Sequence, residues 1–268
     1  MEPFDFTAGR TPLLVSMPHV GTHVPDAIAS QFSEEAIGLP DTDWFVDRLY
    51  NFLHELGASV IRANHSRYVI DLNRAPDSTP LYPGADNTEL CPTTTFAGDP
   101  IYKYRLPLEP EEIDKRRIEV WYPYHAKIKA ELAAIKARHG IALLWDAHSI
   151  KSQVARFFEG VLPDLNLGTG GGTTADVELI RRVANVARDA EGFSHVVDGR
   201  FKGGYITRAY GQPDQNCHAI QLELGQRSYM SDKPPFGLDQ TLAGKLRPVL
   251  RLMLETAITW AESAGEPD

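Results

Sequence analysis

Ile141-Ala142-Leu143-Leu144-Trp145 runs without a break into Asp146-Ala147-His148-Ser149. Five apolar residues with no polar alternate describe an interior strand, and the polar group that follows sits where that strand should end. Open α/β sheets place their ligand sites beyond the carboxyl ends of strands. Working outward, Pro12-Leu13-Leu14-Val15-Ser16-Met17 has the same character and stops at Pro18, ahead of the loop His19-Val20-Gly21-Thr22-His23. Ser59-Val60-Ile61-Arg62-Ala63 reads as another strand, as does Tyr68-Val69-Ile70-Asp71-Leu72 between Arg67 and Asn73-Arg74. From Asp43, the positions Phe45, Val46, Leu49, Phe52, Leu53 and Leu56 keep helical spacing up to Gly57. Alternating strands and helices predict an α/β fold: one three-layer domain over residues 1–268 with a mixed, mostly parallel central sheet.

Further along, Ala75 to Arg105 has no period and is rich in Pro, Gly, Asp and Thr, which predicts a long functional loop. A helix is expected from Glu109, with Trp121, Tyr124, Ile128, Leu132 and Ile135 on one face, a kink or division at Pro123, and a stop at Gly140. A glycine-rich loop, Gly168 to Gly172, precedes a helix through Ala190 but lacks the flanking residues of a phosphate cradle. Residues 199–211 read as a mobile loop, Ala219-Ile220-Gln221-Leu222-Glu223-Leu224 as a strand, and Asp239 to Glu262 as a closing helix.

The net charge of -9 disfavours a nucleic-acid partner, so an anionic small molecule would have to be caught by local arginines. Two cysteines imply no disulfide framework. No signal peptide and no apolar run near the roughly 20 residues of a membrane span is visible, so the expectation is a cytoplasmic protein with no membrane partner. Nothing in the sequence sets an oligomeric state.

Common nucleophile, phosphate-loop and HExxH signatures are missing. What remains is a set of polar residues at strand ends. His19 and His148 each follow a strand, and a catalytic zinc needs three N or O ligands with one position left open. The third is Asp43, Asp41 or Asp146, with His23 a weaker candidate; Asp41 or Asp43 would also serve as a plain helix cap. Glu223 is either a general base or an ordinary solvent-facing carboxylate. Arg200 and Arg208, with Tyr205, would clamp a carboxylate. Arg67, Asp71 and Arg74 form either a structural ion cluster or a seat for an anion. His65, His125, His139, His195 and His218 receive no role.

These pieces, taken in order, resemble the N-formylglutamate amidohydrolases of histidine degradation: Ser16-Met17-Pro18-His19-Val20-Gly21, Asp41-Thr42-Asp43-Trp44, Ser66 to Pro76, Trp145-Asp146-Ala147-His148-Ser149, Gly203-Gly204-Tyr205-Ile206-Thr207-Arg208 and Leu222-Glu223-Leu224. A more distant likeness is to zinc carboxypeptidases and the aspartoacylase and succinylglutamate-desuccinylase group. The resemblance implies a zinc-carboxypeptidase-like (phosphorylase/hydrolase-like) fold and zinc held by His19 and His148. It also implies Asn73 and Arg74 facing the substrate with Arg67 close by, and Glu223 as acid/base. The distant relatives carry a Glu three residues after the first ligand histidine; Thr22 stands there, so the third ligand must come from elsewhere, with Asp43 preferred. Other readings are a deacylase or carboxypeptidase acting on another acyl-amino acid, a hydrolase of cell-wall peptides, or a non-catalytic binder of acidic amino acids.

Overall fold

A computed structural model describes residues 1–81, 84, 86–104 and 108–264. Residues 82, 83, 85 and 105 of the loop expected over Ala75 to Arg105 therefore lie outside the described residues. The strands are β1 (Phe4–Thr7), β2 (Leu13–Met17), β3 (Ser59–Ala63), β4 (Ala142–Ile150), β5 (Leu165–Gly168), β6 (His195–Val197) and β7 (Cys217–Gly225). They form one sheet in the order β1-β3-β2-β4-β7-β5-β6. Its centre, β3-β2-β4-β7, is parallel, while β1 pairs with β3 and β5 with β7 in the antiparallel sense. The sheet is mixed and mostly parallel, as the sequence predicts. Strands β1, β5 and β6 carry three or four residues each, too few for a periodic signal, and owe their order to the sheet they join.

Between β2 and β3 lie four single-turn helices, α1 (Asp26–Ala29), α2 (Glu34–Ile37), α3 (Val46–Leu49) and α4 (Leu53–Leu56). The continuous helix expected from Asp43 is thus two pieces. Tyr50 leaves helical geometry between them, its buried hydroxyl accepting a bond from Trp145 Nε1 at 3.0 Å. Gly57 ends α4 with φ +67, a left-handed cap suited to glycine. Helix α5 (Pro110–Arg116) continues through a π-helical turn, Arg117–Trp121, into α6 (Tyr122–His139). Pro123 does not divide the helix. It falls at the start of α6, just beyond the π turn, where the wider winding accommodates its ring and missing N–H. Asp176 caps α7 (Val177–Asp189) by accepting from the Glu178 and Leu179 amides. The segment expected as a mobile loop contains α8 (Tyr205–Tyr210), and α9 (Gln240–Ala264) closes the chain.

Tyr68 to Leu72 is buried as expected but is no strand; it makes successive turns, with Val69 N–H bonded to Ser66 O and Arg74 N–H to Asp71 O. A strand is unnecessary because side chains take its carbonyls. Arg116 donates to Val69 O at 3.0 Å, His125 to Leu72 O at 2.8 Å and Trp121 to Arg74 O at 3.0 Å.

Helices cover both faces of the sheet. Leu143, Trp145 and Ala147 of β4 join a core with α3, α7 and α9, while Ala142 and Leu144 join one with α6 and the turns at 68–72. Each buried side chain of leucine size contributes about 1.5–3 kcal/mol. On the α6 side the strands change character along their length. Leu14, Leu144 and Ala219 lie level with one another; the next row is Ser16, Asp146 and Gln221, and the next His148 opposite Glu223. The polar rows stand toward the C-terminal ends, at the switch point where the chain, having gone from β2 to β3, returns to β4 on β2's other side. His148 is therefore inside β4, not beyond it. Among the described residues no helix is long and apolar enough to cross a membrane.

Candidate active site

His19, just past β2, His148 on β4 and Asp43, in the loop before α3, bring ligand atoms within 4.8 Å of one another, and all three are buried. Asp43 Oδ2 lies 3.1 Å from His148 Nδ1 and 3.7 Å from His19 Nδ1. The far nitrogens are held from behind. His19 Nε2–H donates to Asp71 Oδ1 at 2.7 Å, and His148 Nε2 faces Asp146 Oδ2 at 3.1 Å. Both rings thus turn Nδ1 toward Asp43. His19 Nδ1 is buried and has no hydrogen-bond partner among the described residues. An orphaned lone pair of this kind is costly unless something electrophilic meets it. Two imidazole nitrogens and one carboxylate, with outer partners on both rings, fit a zinc-type centre with an open position.

Asp41 and Asp146, the other carboxylates weighed as ligand, have different work. Asp41 accepts from Tyr68 OH at 2.6 Å and the Phe96 amide at 2.8 Å. Asp146 sits behind His148 and accepts from Thr207 Oγ1 at 3.2 Å and Asn73 Nδ2 at 3.4 Å. His23 stacks edge-on against His65, outside the cluster.

Electrostatics agree with the geometry. Burial, with Arg67 nearby, lowers the His19 pKa and favours the neutral ligand form. For His148 burial acts downward too, but Asp146 and Asp43 on either side overcome it and hold the ring well above its ordinary value. Asp71 stays ionised despite burial because His19, Arg67 and Arg74 surround it. It is the backing carboxylate of His19 and a partner of Arg67 at 2.8 Å; Arg74, the other arginine of the expected cluster, is 3.9 Å away.

His19 and His148 line a cleft of about 590 Å³, a volume that includes its mouth. Glu223 lines it, opposite His148 on β7, and is buried rather than solvent-facing. Burial raises its pKa to about 8, with His148 opposing and Asp43 reinforcing the shift. Arg67, Asn73, Arg74 and Arg200 also line the cleft. Arg67 lies over the Phe96 ring at 4.6 Å, Arg74 donates to Thr88 Oγ1 at 2.8 Å, and Arg200 donates to Phe157 O at 2.6 Å. Tyr205 and Arg208 are not among the cleft's lining residues: Tyr205 packs on Trp121 and His125, and Arg208 donates to Leu81 O at 3.2 Å.

The Gly203 to Arg208 motif supports the site from behind. A Cβ on Gly204 would come within 2.2 Å of Asn73 Nδ2, so only glycine allows this approach. The Ile206 amide donates to Asn73 Oδ1 at 2.8 Å, which directs the Asn73 NH₂ toward His148 and Asp146. Gln221, which sequence reasoning left without a role, accepts from the Gly204 amide at 2.7 Å and reaches Glu223 at 3.3 Å. Its two-residue spacing from Glu223 on a strand was the available signal.

His125 was also passed over. It and Trp121 are four residues apart, stack at 3.7 Å, and hold the carbonyls on either side of Asn73. Burial pushes the His125 pKa down to about 4. Because the unfolded chain binds this proton near pH 6.5, the contribution is complete above that pH and is lost as pH falls toward 4; it amounts to about 3 kcal/mol. Urea unfolding of His125→Gln should show a shallower loss of stability than wild type across that window. Equal slopes would assign the acid sensitivity to other groups.

Comparison of the sequence with known proteins returns one family. The family model described as N-formylglutamate amidohydrolase matches residues 11–230. An N-formylglutamate deformylase of Pseudomonas aeruginosa is 51% identical over 259 residues, covering 97% of this chain and 97% of that protein. Its namesake from Pseudomonas putida is 48% identical over 255 residues, covering 95% of each. Among solved structures, N-formylglutamate amidohydrolase from Ralstonia eutropha JMP134 matches with a TM-score of 0.84 at 22% identity, covering 98% of this chain and 100% of that one. A protein from Agrobacterium tumefaciens matches at 0.71 and 15% identity, covering 98% and 96%. The two structures speak to the fold.

Proposed function

The chain belongs to the N-formylglutamate amidohydrolase family, and on that premise we propose that it is an N-formylglutamate deformylase, hydrolysing N-formyl-L-glutamate to formate and L-glutamate. The reading includes a zinc ion on His19, Asp43 and His148, a role in histidine degradation and a cytoplasmic setting. The observation that carries the chemistry is the convergence of His19, Asp43 and His148 beside a cleft that His19, His148 and Glu223 line. Bound there, the metal would supply Lewis acidity to the formyl carbonyl and to the attacking water. Glu223 takes a proton from that water as the new C–O bond forms, and returns it to the amide nitrogen as the C–N bond breaks. A pKa near neutrality suits a group that must both accept and give back a proton. Asp71 and Asp146 hold the imidazoles in orientation. Arg67, Arg74 and Arg200, with Asn73, orient the substrate carboxylates, whereas Tyr205 and Arg208, outside the cleft lining, make no direct contact with them.

Formate release from N-formyl-L-glutamate by protein of defined zinc content is the direct test; no release by zinc-loaded protein would exclude the reading. Arginine roles are separable with N-formyl-L-glutamine, which lacks the side-chain charge. Arg74→Ala and Arg200→Ala should each raise KM about 10–100-fold, the scale of a charge-assisted bond. The variant that loses discrimination between the two substrates identifies the arginine on the side-chain carboxylate. An unchanged KM in both would remove them from substrate binding.

A further inference from the structure

Asp43 is held in an unfavourable stretch of backbone. Leu39 and Phe45, on either side of it, have φ of +46 and +62, left-handed values that side chains other than glycine rarely adopt. Something must keep this loop in place. Its amide at Asp43 donates to His19 O at 3.0 Å, which ties it to the first histidine. The carbonyls before and after Asp43 are both taken by side chains 184 and 185 residues further along the chain. Gln226 Nε2 donates to Thr42 O at 3.0 Å, and Tyr229 OH donates to Trp44 O at 2.8 Å.

Both of these side chains also reach one hydroxyl, Ser149 Oγ, at 3.4 Å from Gln226 Nε2 and 2.8 Å from Tyr229 OH. A carbonyl only accepts, so Tyr229 gives its proton to Trp44 O and must accept from Ser149. Ser149 in turn accepts from the second N–H of Gln226, whose first N–H serves Thr42. The protons have one consistent arrangement, and every donor in the chain is used. Ser149, Gln226 and Tyr229 are all buried, which strengthens each of these bonds. Ser149 is the residue after His148 on β4, and Gln226 and Tyr229 follow β7, which carries Glu223.

We propose that Ser149, Gln226 and Tyr229 are positioning residues that fix Asp43 against His148 and so set the affinity of the triad for its metal. The proposal rests on the reading of His19, Asp43 and His148 as a zinc site. Ser149→Ala and Tyr229→Phe each remove one hydroxyl from opposite ends of the same link, so either can decide the matter if the other fails to fold. Zinc dissociation constants from competition with a chromogenic chelator, cobalt(II) absorption spectra, and melting temperatures of the metal-free proteins are the measurements. Each variant should bind zinc about 10–100-fold more weakly, with an altered cobalt spectrum. The double variant should be scarcely weaker than the worse single one, because the link acts as a unit. Melting temperatures that fall while zinc affinity and the cobalt spectrum stay as in wild type would reduce the network to a structural one. Wild-type protein that takes up no zinc would overturn the metal reading itself, and the proposal with it.

Discussion

Replacing Glu223 by Gln should lower formate release from N-formyl-L-glutamate by about 10²–10⁴-fold while bound zinc and substrate affinity stay near wild type. The substitution keeps the shape and removes only the ability to take a proton. Glu223 is buried beside His148, and Gln221 Nε2 at 3.3 Å holds one of its oxygens. A base with a pKa raised to about 8 by burial is progressively protonated as pH falls, so the wild-type rate should decline on the acid side, and the residual rate of Glu223→Gln should lack that limb. Stability supplies an independent check. The folded pKa lies above the ordinary 4.5, so the contribution from Glu223 is complete below pH 4.5 and is lost as pH rises through about 8. Metal-free Glu223→Gln should therefore melt with less dependence on pH between those values than metal-free wild type. Turnover within threefold of wild type would remove Glu223 from the chemistry.

Zinc binding should discriminate among Asp43, Asp146 and Asp41. His148→Ala and Asp43→Asn should each weaken zinc binding by about 10³-fold or more, exceeding the 10–100-fold typical of an outer partner. Asp146→Asn should fall within that outer range, since it backs the ring at Nε2 rather than facing the triad. Asp41→Asn should leave zinc affinity unchanged, because Asp41 lies outside the triad and its Oδ2 accepts from both Tyr68 and Phe96. Activity should follow occupancy: lost on chelation and restored by added zinc in wild type, and not restored in His148→Ala. Chelator competition on purified variants ranks them directly. Zinc retained by Asp43→Asn and lost from Asp41→Asn or Asp146→Asn would move the third ligand.

The pH dependence of metal uptake follows from the same contacts. Asp146 and Asp43 favour the protonated ring of His148, and ligation requires the neutral one, so zinc affinity should fall as pH falls.

The sequence by itself determined β2, β3, β4 and β7, because their apolar runs are local signals of burial, and it marked His19, His148 and Glu223 by where those runs meet polar residues. It likewise determined the stop at Gly57, a property of a few adjacent residues. It could not tell a buried strand from buried turns at Tyr68 to Leu72, since burial is common to both and only the side chains of Arg116, Trp121 and His125 decide where the carbonyls find donors. Nor could it anticipate α8, whose start docks on Asn73 and Gln221. The tertiary structure alone decided that Asp43, 105 residues from His148, faces its Nδ1, and that Asp71, 52 residues from His19, backs its Nε2. Periodicity reports which face of an element is buried. It carries no record of which distant residues share the space, and at this site the chemistry depends on that pairing.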